Sequence, residues 1–124
     1  MFKLVKILNG RINVPEPEFL PAPSSVTVKE GMTLNVASGA FTKTTSKPTH
    51  IAMKTQTKAS EELPAMRVDS NMVFEVATSS AGSIVVGSKL ALGSDGLTVG
   101  AASDSGVATV VGTNKVDKIH VIFE

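Results

Sequence analysis

The sequence contains no cysteine, no tryptophan and no tyrosine, and each absence excludes a class of function. Without cysteine the chain forms no disulfides and offers no thiol nucleophile or thiolate metal ligand. Without tryptophan and tyrosine it lacks the exposed rings on which carbohydrate-binding modules hold sugars. Single-strand nucleic-acid binders also need stacking aromatic residues, which are scarce here. The core must therefore be built from aliphatic side chains and five phenylalanines.

Strong net charge and long apolar runs are missing as well. With 12 Lys and Arg against 11 Asp and Glu, the formal net charge is +1, so no overall field recruits nucleic acid or an anionic membrane. No apolar run approaches about 18 residues, the length of a membrane-spanning helix. Residues 2–8 are interrupted by Lys3 and Lys6, which argues against a secretory signal peptide. We expect a soluble protein made in a cytoplasm.

The pattern of apolar residues predicts an all-β fold. No segment keeps a helical period, Val, Ile and Thr are abundant, and turn signals recur about every 8–12 residues. Residues 31–43 and 87–99 share one pattern: an opening glycine, alternating apolar residues, a turn containing glycine and a returning strand. Two copies of one hairpin predict a small β-barrel or β-sandwich built of hairpins.

The first 25 residues differ from the rest of the chain. Residues 1–8 alternate like a strand, and Asn9-Gly10 is a strong signal for a two-residue hairpin turn. Four prolines then follow at Pro15, Pro17, Pro21 and Pro23, which favour an extended and stiff chain. We predict an extended Pro-rich arm with a short β-hairpin over residues 1–25 and a β-barrel domain over residues 26–124. Such an arm either wraps its own domain or reaches a partner.

The sequence offers almost no chemistry. Residues 82–89, GSIVVGSK, approach the phosphate-binding P-loop spacing, but Ser and Lys are transposed and no helix follows. His50 and His120 each lie in an alternating strand without a metal-ligand spacing, so we expect both at a rim or facing outward. No serine lies in a nucleophile-elbow motif. We predict no catalytic residue, no metal site and no cofactor, and hence a protein that acts through its surfaces and not as an enzyme.

From Val26 onward, a pattern of turns, strands and small residues runs through EGMTL (30–34), GAFTK (39–43), KPTHIA (47–52) and LPAMRV (63–68). In this pattern the chain resembles the small head-decoration, or capsid cement, proteins of tailed bacteriophages. It implies a β-tulip-like fold and a homotrimer that binds the major capsid protein on the outside of the mature head. It also implies residence in the virion after synthesis in the bacterial host cytoplasm, with neither nucleic acid nor membrane as partner.

If the resemblance holds, the predicted arm is the segment that adds to the coat protein. We expect its apolar side chains to anchor it and its basic side chains to adjust the electrostatic fit; the anchors are Phe2, Leu4, Val5, Ile7, Ile12 and Phe19, and the basic residues are Lys3, Lys6 and Arg11. The alternatives are another virion part (tail tube, baseplate adaptor or head-fibre base), a host-surface adhesion module, or a small hydrolase or nucleotide enzyme with a β-barrel. A tail-tube protein would stack into rings, whereas a decoration protein would stop at a closed trimer.

Overall fold

The computed structural model describes residues 1–8, 15–24 and 27–124. The described chain contains strands and turns but no helix. Its strands are β1 Lys3–Ile7, β2 Pro17–Pro21, β3 Thr33–Ala37, β4 Ala40–Lys43, β5 His50–Ala52, β6 Glu62–Arg67, β7 Met72–Ala77, β8 Lys89–Leu92, β9 Val99–Ala102, β10 Ala108–Thr113 and β11 Lys118–Phe123. The predicted all-β class is confirmed.

The strands form two antiparallel sheets. The six-stranded sheet has the order β1-β7-β11-β10-β8-β9, and the five-stranded sheet has the order β2-β6-β5-β3-β4. Within the described residues, neither sheet pairs its last strand with its first, so each retains two edges. Alternation explains the central strands: in β11 the side chains of Ile119, Val121 and Phe123 are fully buried and those between them are more exposed.

The apolar side chains gather in two clusters. The larger covers one face of the six-stranded sheet and includes Ile51 of the five-stranded sheet, with Met66 and Val68 packed against it. The smaller lies on the opposite face of the five-stranded sheet, around Leu34, Phe41 and Leu63. One sheet therefore contributes to both clusters, because it packs its second face against the apolar face of the other sheet.

Both hairpins that the sequence predicts are present. They are β3–β4, with Val36 opposite Phe41, and β8–β9, with Leu92 opposite Val99. The opening glycines, Gly31 and Gly87, have φ values of 78° and 94°. This left-handed conformation is one that glycine adopts without a steric penalty, which explains why the residue opens both hairpins.

The first 25 residues supply one strand to each sheet. Strand β1 pairs with β7 and bears a register shift between Leu4 and Lys6, while β2 pairs with β6 over its whole length. The predicted Asn9-Gly10 turn lies outside the described residues.

Candidate functional site

The predicted contact residues of β1 separate into buried and exposed groups. Phe2, just before the strand, is 2% exposed, and its ring centroid lies 5.4 Å from that of Phe123. Leu4 and Ile7 pack against the same core cluster. Lys3, Val5 and Lys6 are exposed. The apolar side of β1 therefore belongs to the core of its own chain, and the other side faces solvent.

Of the remaining predicted contact residues, Phe19 is a large apolar side chain that is exposed to solvent. It lies in the middle of β2 and is 57% exposed. Strand β2 is an edge of the five-stranded sheet, and Pro17 and Pro21 at its ends have no N–H to donate. Arg11 and Ile12 lie outside the described residues.

On the face of β2 opposite Phe19, three side chains of three strands meet; we call them the Glu18–His50–Arg67 cluster. Nε2 of His50 lies 2.5 Å from Oε2 of Glu18, and Nη2 of Arg67 donates to Oε1 of Glu18 at 2.9 Å. The other ring nitrogen of His50, Nδ1, lies 2.9 Å from the hydroxyl of Thr49. Both carboxylate oxygens and both imidazole nitrogens thus have partners.

Strand register brings the cluster together. His50 of β5 is opposite Arg67 of β6, and Glu18 of β2 is opposite Ala65, two residues before Arg67. Residues at this spacing share a face of the sheet, and a diagonal pair is within reach of long side chains. His50 also packs on Phe41, with ring centroids 5.1 Å apart.

Charge stabilises the ionised form of Glu18. The hydrogen bond from Arg67 and then that from His50 lower the pKa of the Glu18 carboxyl below its ordinary value, and partial burial opposes them. The side chain of Glu18 is 42% exposed and that of Arg67 is 63% exposed, so water screens the pair. The cluster therefore connects β2 to β5 and β6 through paired side chains, and the charge of Glu18 is neither isolated nor fully buried.

Thr49, His50 and Glu18 form a hydroxyl–imidazole–carboxylate chain, which is the arrangement that activates nucleophiles in hydrolases. His50, however, is only 3% exposed, and the carboxylate of its partner Glu18 is also bound to Arg67. A substrate would have little access to the ring, so the geometry favours a structural role for the cluster.

The expectation that both histidines face outward is wrong for His50. The ring lies in a fully buried three-residue strand, where Glu18 and Thr49 satisfy its nitrogens. The sequence signal was weak: His50 stands beside Ile51 and Ala52 in an apolar strand, but its partner Glu18 is far away in the chain.

A second pair of a histidine and a glutamate lies on the outer face of the six-stranded sheet. Nε2 of His120 is 3.1 Å from Oε2 of Glu75, and Nζ of Lys118 is 3.6 Å from the other carboxylate oxygen. The hydrogen bond with His120 is the main cause that lowers the pKa of Glu75. His120 is substantially exposed, as the sequence predicts.

Among the described residues, no group of three or more His, Asp and Glu side chains is arranged to hold a metal ion. The described chain also has no helix of the length and hydrophobicity needed to span a membrane. Comparison with known proteins found no matching family model, no matching curated protein and no matching solved structure.

Proposed function

We propose that this protein is a bacteriophage capsid decoration protein, which binds the major capsid protein on the outer surface of the mature head and stabilises the coat lattice. It acts without catalysis, as a homotrimer, and resides in the virion. The sequence pattern shared with head-decoration proteins supports this assignment. A repeating lattice gains stability from many modest contacts, so no single contact has to be strong.

The observation that carries the proposal is the exposed Phe19. A large aromatic ring that is 57% exposed on a structured edge strand has the properties of an interface anchor. Because Pro17 and Pro21 remove two N–H donors from β2, a partner strand would form a poor ladder there, and the side chain is the stronger source of contact. Phe19 is thus the residue of the predicted arm on which we place the capsid contact.

The proposal includes the finer description of the fold. The two sheets form a small sandwich- or barrel-like body of the β-tulip kind, and the Pro-rich arm predicted over residues 1–25 lies along its sheet edges through β1 and β2. Support comes from Ile51, Met66 and Val68, which pack one sheet against the core of the other. The exposed side of β1, with Lys3, Val5 and Lys6, extends the contact surface beyond Phe19.

The test is sedimentation of the purified protein with expanded, undecorated heads of its phage, with the number of copies bound per shell as the readout. We expect saturable binding at a fixed count on expanded heads and none on unexpanded proheads. Phe19→Ala should weaken binding about tenfold or more, as truncation of a buried aromatic anchor costs at least about 1.4 kcal/mol. Deleting residues 1–25 would be less informative, because it also removes Phe2 from the core.

The matched control is Val116→Ala. Val116 is 73% exposed and lies in a turn of the other sheet, so its truncation should leave capsid binding unchanged. If the wild-type protein binds neither expanded heads nor proheads, the capsid proposal is wrong, and the tail and baseplate become the next candidates. Unchanged binding by Phe19→Ala would exclude Phe19 from the contact, and an equal loss in both variants would show that the loss is not specific to Phe19.

A further inference from the structure

The five-stranded sheet curves until its two edge strands come close to each other. Four antiparallel pairings separate β2 from β4, so these two strands run in the same direction. Some Cα atoms of β2 and β4 lie within 8 Å of each other, although the two strands are not paired. The sheet thereby curves around the smaller apolar cluster, and Pro21 and Lys43 end β2 and β4 at the same end of it.

The turn between β8 and β9 of the other sheet docks at this end. The amide and the hydroxyl of Thr33 both donate to the carbonyl of Gly96, at 2.8 and 3.2 Å. Gly96 has a φ of 68°, and a Cβ at this position would lie 3.0 Å from the side chains of Met32 and Lys43. Leu97, the next residue, packs against the smaller cluster. The turn is therefore held closely against β3 and β4.

A recess with a volume of about 470 Å³ lies between this turn, the end of β4 and the chain that follows β2. A volume of this size is within the range of pockets that bind ligands or side chains in proteins. Part of its wall is apolar, formed by Met32, which is 4% exposed, and by Leu97. The charged side chains that line the recess are those of Lys29, Lys43 and Asp95.

The two lysines of the recess have no carboxylate partner within the part of the chain that the structure describes. The ion pairs found there use the cations Lys54, Lys118, Arg67 and the two histidines, and neither Lys29 nor Lys43 takes part. Both lysines are exposed. Their ammonium groups are therefore available to a carboxylate from outside the chain.

Asp95, in contrast, is already satisfied by its own turn. Its Oδ1 accepts hydrogen bonds from the amide of Leu97 at 2.9 Å, from the amide of Thr98 at 3.1 Å and from the hydroxyl of Thr98 at 2.9 Å. These bonds, and first the one from Leu97, lower the pKa of Asp95, so its carboxyl is ionised at neutral pH. Two lysines and one aspartate leave a net charge of +1 around the recess.

The recess lies beside the strand that carries Phe19. Pro23, which also lines the recess, follows Phe19 by four residues. Because an extended chain rises about 3.3 Å per residue, the Cα atoms of these two residues are at most about 13 Å apart. A standard protein–protein contact buries about 800 Å² on each partner, which corresponds to a patch roughly 30 Å across. One partner that covers Phe19 can therefore also reach the recess.

We infer that the recess accepts an aspartate or glutamate side chain of the major capsid protein, next to the Phe19 contact. This inference rests on the proposed function and adds a second point of contact to it. Lys29 and Lys43 donate charge-assisted hydrogen bonds to the incoming carboxylate, and the methylene groups of the same side chain cover Met32 and Leu97. Since both lysines remain near water, each pair contributes modestly, and the many copies on a lattice add their contributions.

The test measures the protein concentration that half-saturates expanded, undecorated heads in the sedimentation assay. Lys29→Gln with Lys43→Gln should raise this concentration about four- to twenty-five-fold, because each exposed ion pair changes affinity about two- to fivefold. Lys29→Arg with Lys43→Arg keeps both charges and should stay within about twofold of the wild-type protein. A carbodiimide, which couples an amine to a carboxylate in contact with it, should link Lys29 or Lys43 to an acidic residue of the capsid protein.

The matched control is Lys47→Gln with Lys89→Gln, which removes the same charge from two exposed lysines outside the recess. It should bind within about twofold of the wild-type protein. The inference is wrong if the recess variant binds like the wild type, if the control loses as much binding, or if the cross-links form only at lysines outside the recess. Each of these results leaves the capsid proposal standing, whereas absence of wild-type binding to heads would overturn both.

Discussion

Truncation of Phe2 measures whether the first residues belong to the folded core. Its side chain is 2% exposed, and its ring packs on Phe123, whose centroid is also 5.4 Å from that of Phe74. Phe2→Ala removes most of this ring and leaves a cavity, so the free energy of unfolding should fall by about 3–5 kcal/mol. In a chain of this size, each kcal/mol lowers Tm by about 4 °C, which predicts a decrease of roughly 12–20 °C.

The assay is urea unfolding at neutral pH, followed by far-ultraviolet circular dichroism, with thermal unfolding as a second measurement. Val5→Ala is the matched control, because Val5 lies in the same N-terminal segment but is 42% exposed, and its truncation should cost less than about 0.5 kcal/mol. If Phe2→Ala costs less than about 1 kcal/mol, β1 is not docked on β7 and the packing argument fails.

Two further predictions concern a glycine and an acidic side chain. Gly31→Ala should lower the free energy of unfolding by about 2 kcal/mol or more, because its φ is positive and a Cβ would meet Met1 and the backbone of Phe2, whereas Gly39→Ala has open space and should cost about 1 kcal/mol in the same urea assay. The hydrogen bond from Lys54, and then the one from the backbone amide of Thr57, lower the pKa of Glu61 to about 2. The contribution of ionised Glu61 to the free energy of unfolding is therefore complete above pH 4.5 and is lost as the pH falls toward 2. Glu61→Gln should therefore reduce the loss of urea stability between pH 6 and pH 3, and an unchanged loss would contradict this assignment.

The strands were predictable from sequence because alternation and turn chemistry are local. The opening glycines, the Ser38-Gly39 turn and the apolar pair Val36 and Phe41 define the first hairpin within a few residues. Pairing between distant strands is not local, so nothing in residues 3–7 indicated that β1 joins β7. The two predicted hairpins, β3–β4 and β8–β9, occupy matching places in the two sheets, because β2 to β6 and β7 to β11 follow the same strand order.

The burial of His50 escaped prediction for a related physical reason. A polar residue is tolerated in a core when partners satisfy it, and one of the two partners of His50, Glu18, lies 32 residues away in the chain. Alternation shows which face of a strand a residue occupies, but it does not show which strand lies beside it. The cluster is therefore visible only once the register of β2, β5 and β6 is known.

The two faces of β2 explain how an edge strand with prolines can stay attached to its sheet while it exposes an aromatic ring. Prolines at both ends limit its hydrogen bonds, yet Glu18 connects it by side-chain bonds to β5 and β6. On the opposite face, Phe19 presents its ring to solvent. If Phe19 holds the coat protein, force on the ring passes through the β2–β6 pairing and the Glu18 contacts into the centre of the sheet. A strand held in this way presents an ordered anchor, so binding requires little further loss of conformational entropy.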